Sequence, residues 1–234
     1  MNTCNRNFFS SPLFRRSRFA LAIVLSGIYG CSYLPQTLVT DNERDAKINK
    51  QDSLGDSANR VVYPEQNWSA ADTSWFYNTT QGSNLIPYAT FLHLEVSNSE
   101  KLFRSDENMD RLRYLPQKAS SANPDALPVG WVKDNHAGKD YIGFNCAACH
   151  TSQINYKGTA IRIDGGAALA DMDLMLNDLA RALDTSVNQP EKFERLAKKV
   201  LGNKYPAELD NFRVELIAAA QKIGLMKPSA ASGT

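Results

Sequence analysis

Residues 146–150 read Cys-Ala-Ala-Cys-His, and no other stretch restricts the chain as sharply. Two thiols three positions apart with an imidazole directly after the second can hold zinc, form a redox dithiol, or fix a haem. A structural zinc site wants four ligands, commonly with two histidines a few residues apart, whereas His93, His136 and His150 are widely separated. A dithiol oxidoreductase wants its pair at the start of a helix that follows a strand. The sequence after His150, TSQINYKGTAIRIDGG, reads instead as two short extended runs about Gly158. The c-type haem reading uses all three residues: Cys146 and Cys149 add to the vinyl groups, and His150 becomes an axial iron ligand.

Compartment bears on that choice. Arg6, Arg15, Arg16 and Arg18 precede an apolar run, Phe19 to Tyr29, and the first thirty residues contain no carboxylate. Eleven residues fall well short of the roughly twenty that span a bilayer, so the run reads as the core of an export signal. It ends in IYGCS, where Cys31 resembles the lipidated cysteine of bacterial lipoproteins; simple cleavage and an uncleaved anchor are the alternatives. Arg15 and Arg16 lack the pattern that follows a twin-arginine pair. The expectation is therefore unfolded export to the periplasm, lipid anchoring to the membrane through Cys31, and a cofactor added outside the cytoplasm.

Removing residues 1–30 takes four arginines and Cys4, leaving 22 basic against 25 acidic side chains. A slightly acidic chain is a poor ligand for nucleic acid. With Cys31 lipidated, only Cys146 and Cys149 remain, so no disulfide framework exists unless those two pair with each other.

What would face the far side of the iron stays open. Candidates are His93, His136, Met109, Met172, Met175 and Met226. His93 lies in an apolar stretch where a packed helix accounts for it, and His136 lies in the polar segment KDNHAGKD, read as a loop. Met172 and Met175 belong to a helix whose core stripe needs no iron to explain it. Trp68, Trp75 and Trp131 could relay electrons, although aromatic packing accounts for each.

The rest of the chain reads as a mainly α, cytochrome c-like helical haem domain with irregular loops and a short β-hairpin after the CxxCH. Residues 1–30 form the signal and 31–66, polar and without an apolar period, a solvated linker. The haem domain spans 67–226, and 227–234 form a disordered tail. Ser83 or Asn84 could open a helix with Pro87 in its first turn, carrying Phe91, Leu92 and Val96 inward, and Ser105 could cap a second. Leu169, Met172, Leu176, Leu179 and Leu183 recur at helical spacing, with Asp171, Asp173, Asp178 and Arg181 largely off that stripe. Pro190 and Pro206 open two further helices, the last closing near Gly224.

The segments YNTTQGSNLIPYATFLHLE, LFRSDENMDRLRYLPQK, LPVGWVKD, YIGFNCAACHTSQINYKGTAIRIDGG and ALADMDLMLNDLARAL together resemble the amino-terminal haem region of the bacterial diheme cytochrome c peroxidase-like superfamily. They are most similar to the large exported diheme cytochromes that include the rubber oxygenases. The resemblance covers residues 68–225, and within it only CxxCH is a general motif. It implies one covalent haem c, with Cys146 and Cys149 as attachment points and His150 as proximal ligand. Such proteins continue into a second haem domain, with which the first shares electrons, and often hold calcium between the two. The sequence here lacks that second motif, so the expectation is a truncated frame or a partner that supplies it. Near Asp164 the carboxylates give no sufficient calcium set.

Two function classes follow. One is an electron-transfer haem module of a peroxidase-like system, working with a redox partner protein or second haem domain. The other is an enzyme in its own right that reacts with peroxide or oxygen at an open haem. No catalytic acid or base is assignable from the sequence.

Overall fold

A computed structural model of the chain describes residues 38–40, 44–48 and 55–226. The export signal, Cys4, Cys31 and the tail from residue 227 lie outside the described residues.

Two hairpins frame the 146–150 segment. Strands β4 (Trp131–His136) and β5 (Lys139–Phe144) are antiparallel, with His136 opposite Lys139. Their two-residue connection, Ala137-Gly138, has φ of 52° and 79°. Such positive angles match the right-handed twist of the flanking strands. The hairpin β6 (Thr151–Tyr156) and β7 (Gly158–Asp164) turns the same way, over Lys157 and Gly158 with φ of 46° and 77°. The short β3 (Ile86–Pro87) pairs with β5, giving a three-stranded sheet in the order β3-β5-β4. The other sheet has the order β1-β2-β7-β6: β2 (Ala58–Pro64) runs parallel to β7, and β1 (Leu38–Thr40) runs antiparallel to β2.

Helices surround these sheets. α1 (Ala70–Asn78) is opened by a capping box between Ser69 and Asp72. The brief α2 (Tyr88–His93) and α3 (Asp106–Arg111) follow, and Ser105 caps α3 as the sequence suggests. α4 (Met172–Asn188) starts at Asp171, whose Oδ1 accepts from the Leu174 amide at 2.9 Å. α5 (Pro190–Leu201) has its proline at the first turn, where the missing N–H costs nothing. α6 (Leu209–Met226) runs two residues past Gly224.

The larger core joins the three-stranded sheet to the helices. Trp131, 1% exposed, stacks on Phe91 with centroids 5.1 Å apart and meets Tyr114 and Phe144 edge-on at 5.0 and 4.6 Å. Met175, Leu179 and Leu183 of α4, Phe193 of α5, and Phe212 and Leu216 of α6 close the same cluster. Trp131 is thus core packing, while Trp75 is 70% exposed.

The architecture is mixed α/β, which corrects the mainly α expectation. The apolar runs in 131–164 are too short for helices, and each pair is joined by a two-residue turn ending in glycine. Among the described residues the three longest helices, α4 to α6, all follow residue 171. The linker reading fails for 58–64 as well. There Val61 and Tyr63 are buried with Ala160 and Ala46, and β2 takes its place beside β7. His136 ends strand β4 instead of lying in a loop, and Pro87 belongs to β3 and precedes α2.

The four-stranded sheet buries polar side chains. Arg162, with no exposed surface, donates to the Gln153 Oε1 from Nε at 3.1 Å and Nη2 at 2.9 Å. Asp164 receives Arg44 Nη1 at 3.1 Å and the Thr73 hydroxyl at 3.0 Å, and the Tyr77 hydroxyl donates to its other oxygen. Burying a charge is tolerable only when it is paired and hydrogen-bonded in this way. Burial pushes the Tyr77 phenol well above its ordinary value, reinforced by the negative charge beside it. Among the described residues, no helix is long and apolar enough to cross a membrane.

Candidate haem-attachment site

Strand β5 delivers the chain to the site, and Asn145 turns it. Its backbone is extended, and its Oδ1 accepts from the Ala147 amide at 3.0 Å, capping a single 3-10 turn over Cys146–Ala148. The same side chain donates from Nδ2 to the carbonyls of Phe76, Tyr77 and Thr79 at 2.9, 3.2 and 3.0 Å. Asn145 therefore ties the turn to the end of α1, where carbonyls have no partner within the helix.

The turn sorts its side chains by face. Ala147 and Ala148 are buried, Ala147 against Tyr77, Leu115 and Val129. Cys146, Cys149 and His150 are exposed, and both thiols are free. The His150 amide donates to the Cys146 carbonyl at 2.9 Å. Beyond it, the Gly165 amide donates to His150 O at 2.8 Å and the Ala168 amide to Cys149 O at 2.9 Å. The loop after β7 is thereby held along the motif, with Leu169 next in line and 51% exposed. Gln81 approaches from the other side: its Oε1 lies 3.1 Å from the Cys146 amide and 3.2 Å from Sγ.

Beneath the turn lies a cavity of about 10 Å³ lined by Tyr114, Ala147, Ala148 and Thr151 among others. Among the described residues, the Tyr114 and Thr151 hydroxyls are buried without a hydrogen-bond partner. Burial raises the Tyr114 phenol, and the nearby Cys149 adds to the rise. The space is far too small for a macrocycle, so a haem would have to be held from the exposed side. The donors fit that demand: two accessible thiols and an accessible imidazole, with small residues as the spacer between the thiols.

Among the described residues no group of three or more His, Cys, Asp and Glu side chains is assembled to hold a metal ion. The thiols do not open an α-helix, since a strand follows the turn at Thr151. Of the far-side candidates, Met109 and Met175 lie in the larger core and Met172 packs against it. His93 is half-buried at the end of α2, and burial lowers its pKa, with Lys199 and Arg104 adding to the effect. His136 and Met226 are exposed. Asp164 offers calcium nothing, since Arg44, Thr73 and Tyr77 occupy its carboxylate.

Sequence reading missed Gln81 and Asn145, and also Gly130, where an added Cβ would fall 2.0 Å from the Ala148 nitrogen of the turn. An asparagine directly before a turn is a recognisable cap signal; nothing local marked the other two.

No family model and no solved structure matches the chain. It is 32% identical over 217 residues to a Sinorhizobium fredii protein described as uncharacterized protein y4iJ, a match covering 80% of the chain and 33% of that protein. The chain thus spans about a third of the length of the curated relative it matches.

Proposed function

We propose that the domain binds one covalent haem c through Cys146 and Cys149, with His150 as proximal ligand, and serves as the electron-transfer haem module of a peroxidase-like system. The observation that carries this reading is the sorting of the CAACH turn, which leaves both free thiols and the imidazole exposed while the two alanines anchor it. A haem supplies one-electron chemistry at iron, tuned by its axial ligands. The chain's own residues hold the attachment points: Asn145 fixes the turn against α1, and the amides of Gly165 and Ala168 hold the backbone carbonyls of His150 and Cys149. A redox partner or a second haem domain completes the system, and a relative three times as long as the aligned region is compatible with one. Periplasmic location and anchoring through Cys31 belong to the same proposal.

The test is mass spectrometry and a pyridine haemochrome spectrum of the full chain expressed with periplasmic haem maturation. A mass gain of one haem, lost when Cys146 and Cys149 are both replaced by Ala, is expected. A folded chain exported and matured without haem would overturn the reading. A ferric spectrum of the same sample separates an electron carrier, low-spin and indifferent to peroxide, from a peroxide-reacting enzyme with a high-spin fraction.

A further inference from the structure

A cavity of about 590 Å³ opens between the segment 96–105, α3 and α4. Its volume falls in the range of small-molecule sites. Arg111 of α3 and Arg181 of α4 both reach one carboxylate on its wall, Asp178, whose side chain is only 13% exposed. The lining as a whole carries three cations, Lys101, Arg111 and Arg181, against two carboxylates, Glu107 and Asp178, and so one net positive charge. Arg111 is also fixed from a second side: its Nε and Nη2 donate to Asn108 Oδ1 at 3.3 and 2.9 Å. Asn108 is itself held, donating from Nδ2 to the Phe103 carbonyl at 2.7 Å. A guanidinium held this way has little freedom left to lose when a ligand arrives.

We propose that this cavity binds a small organic oxyanion, bearing carboxylate or phosphate groups, between Arg111 and Arg181. A guanidinium carries five N–H donors in a planar fork, and the acceptor oxygens of Asp178 and Asn108 leave donors over for a ligand. Lys101 supplies a third cation at the rim. Its pairing with Glu107 involves two side chains each 64% exposed, and so open an ion pair exchanges readily for a better acceptor. Ser97 and Ser105 also line the wall. The site is independent of the haem reading and shares none of its residues.

Isothermal titration calorimetry of the full chain at low ionic strength, with citrate and inorganic pyrophosphate as separate probes, tests it. Saturable one-to-one binding of at least one probe is expected, and which probe binds more tightly separates the carboxylate source from the phosphate source. Arg181→Gln, at a side chain 62% exposed, is expected to keep the parent's melting temperature and weaken binding at least tenfold. Arg111→Gln should do the same to binding, with its fold checked by circular dichroism, and Lys204→Gln, outside the cavity, should bind as the parent does. No saturable heat with either anion, or equal affinity in the parent and Arg181→Gln, would overturn the proposal.

Discussion

Gly130 stands so close to Ala148 that a Cβ built on it would fall 2.0 Å from the Ala148 nitrogen and 2.5 Å from its Cα. Its φ of 75° lies in the left-handed region as well. Backbone cannot yield as a flexible side chain can, so the entry to β4 and the CAACH turn fit only with glycine at this point. Gly130→Ala is expected to destabilise the fold by about 3 kcal/mol or more, combining left-handed strain with the displaced turn. Urea denaturation measures this directly, and haem loading of the same variant should fall. A loss under about 1 kcal/mol, the size of an ordinary point change, would mean that the contact relaxes at little cost.

Asn145 acts through both ends of its amide, and the two can be separated. Asn145→Ala removes the cap on the 3-10 turn and the donors to three carbonyls at the end of α1, an expected cost of about 2–3 kcal/mol. Asn145→Asp keeps an acceptor for the Ala147 amide and sets a carboxylate against those carbonyls. If tying α1 matters more than capping, the aspartate variant is at least as unstable as the alanine variant in thermal melts. Recovery of most of the parent's stability by aspartate would assign the role to the cap alone.

Only features signalled by neighbouring residues are legible in the sequence. α4 is readable because its apolar stripe repeats locally, and α5 because Pro190 marks its start. The motif was readable because its three residues are neighbours. Strand β2 was not, since Ala58, Asn59 and Arg60 look like the polar stretch before them, and only pairing with β7 about a hundred positions later makes them a strand. The β4–β5 hairpin hid behind Ala137-Gly138, a weaker signal than the Asn-Gly that favours such turns. Arg44 and Asp164 lie 120 positions apart, and no periodicity links them. Gln81 meets Cys146 for the same non-local reason.

Glu95 joins α5 to the segment after α2. Arg195 donates to it from Nε at 2.8 Å and Nη2 at 2.7 Å, and Lys192 Nζ lies at 3.1 Å. These hydrogen bonds, Arg195 foremost, hold its carboxyl below the ordinary value of about 4.5. The unfolded chain then takes up the proton at higher pH than the folded one, so the stability from Glu95 is complete above the ordinary glutamate pKa. It is lost as pH falls through the lower, folded value. Denaturation midpoints of the parent and Glu95→Gln should differ most at neutral pH and converge as pH falls below the ordinary glutamate value of about 4.5. A gap that stays constant with pH would show that the glutamine loses packing and not charge.

Exposure of both thiols does not make them equivalent. Cys146 Sγ lies 3.2 Å from the Gln81 oxygen, which also accepts from the Cys146 amide at 3.1 Å. Attack by Sγ on an incoming electrophile has to displace that side chain and give up its contact, whereas Cys149 follows the turn on the side bordered by Ala168. In haem-free protein, Cys149 is therefore expected to react with iodoacetamide at least about threefold faster than Cys146, a ratio that corresponds to roughly 0.6 kcal/mol, in the range of a net hydrogen bond. Peptide mass mapping at short times reads the two rates separately. Gln81→Ala should raise the Cys146 rate and leave that of Cys149 unchanged. Equal rates in the parent would show that Gln81 gives no protection, and the turn would then present both sulfurs alike to whatever bonds to them.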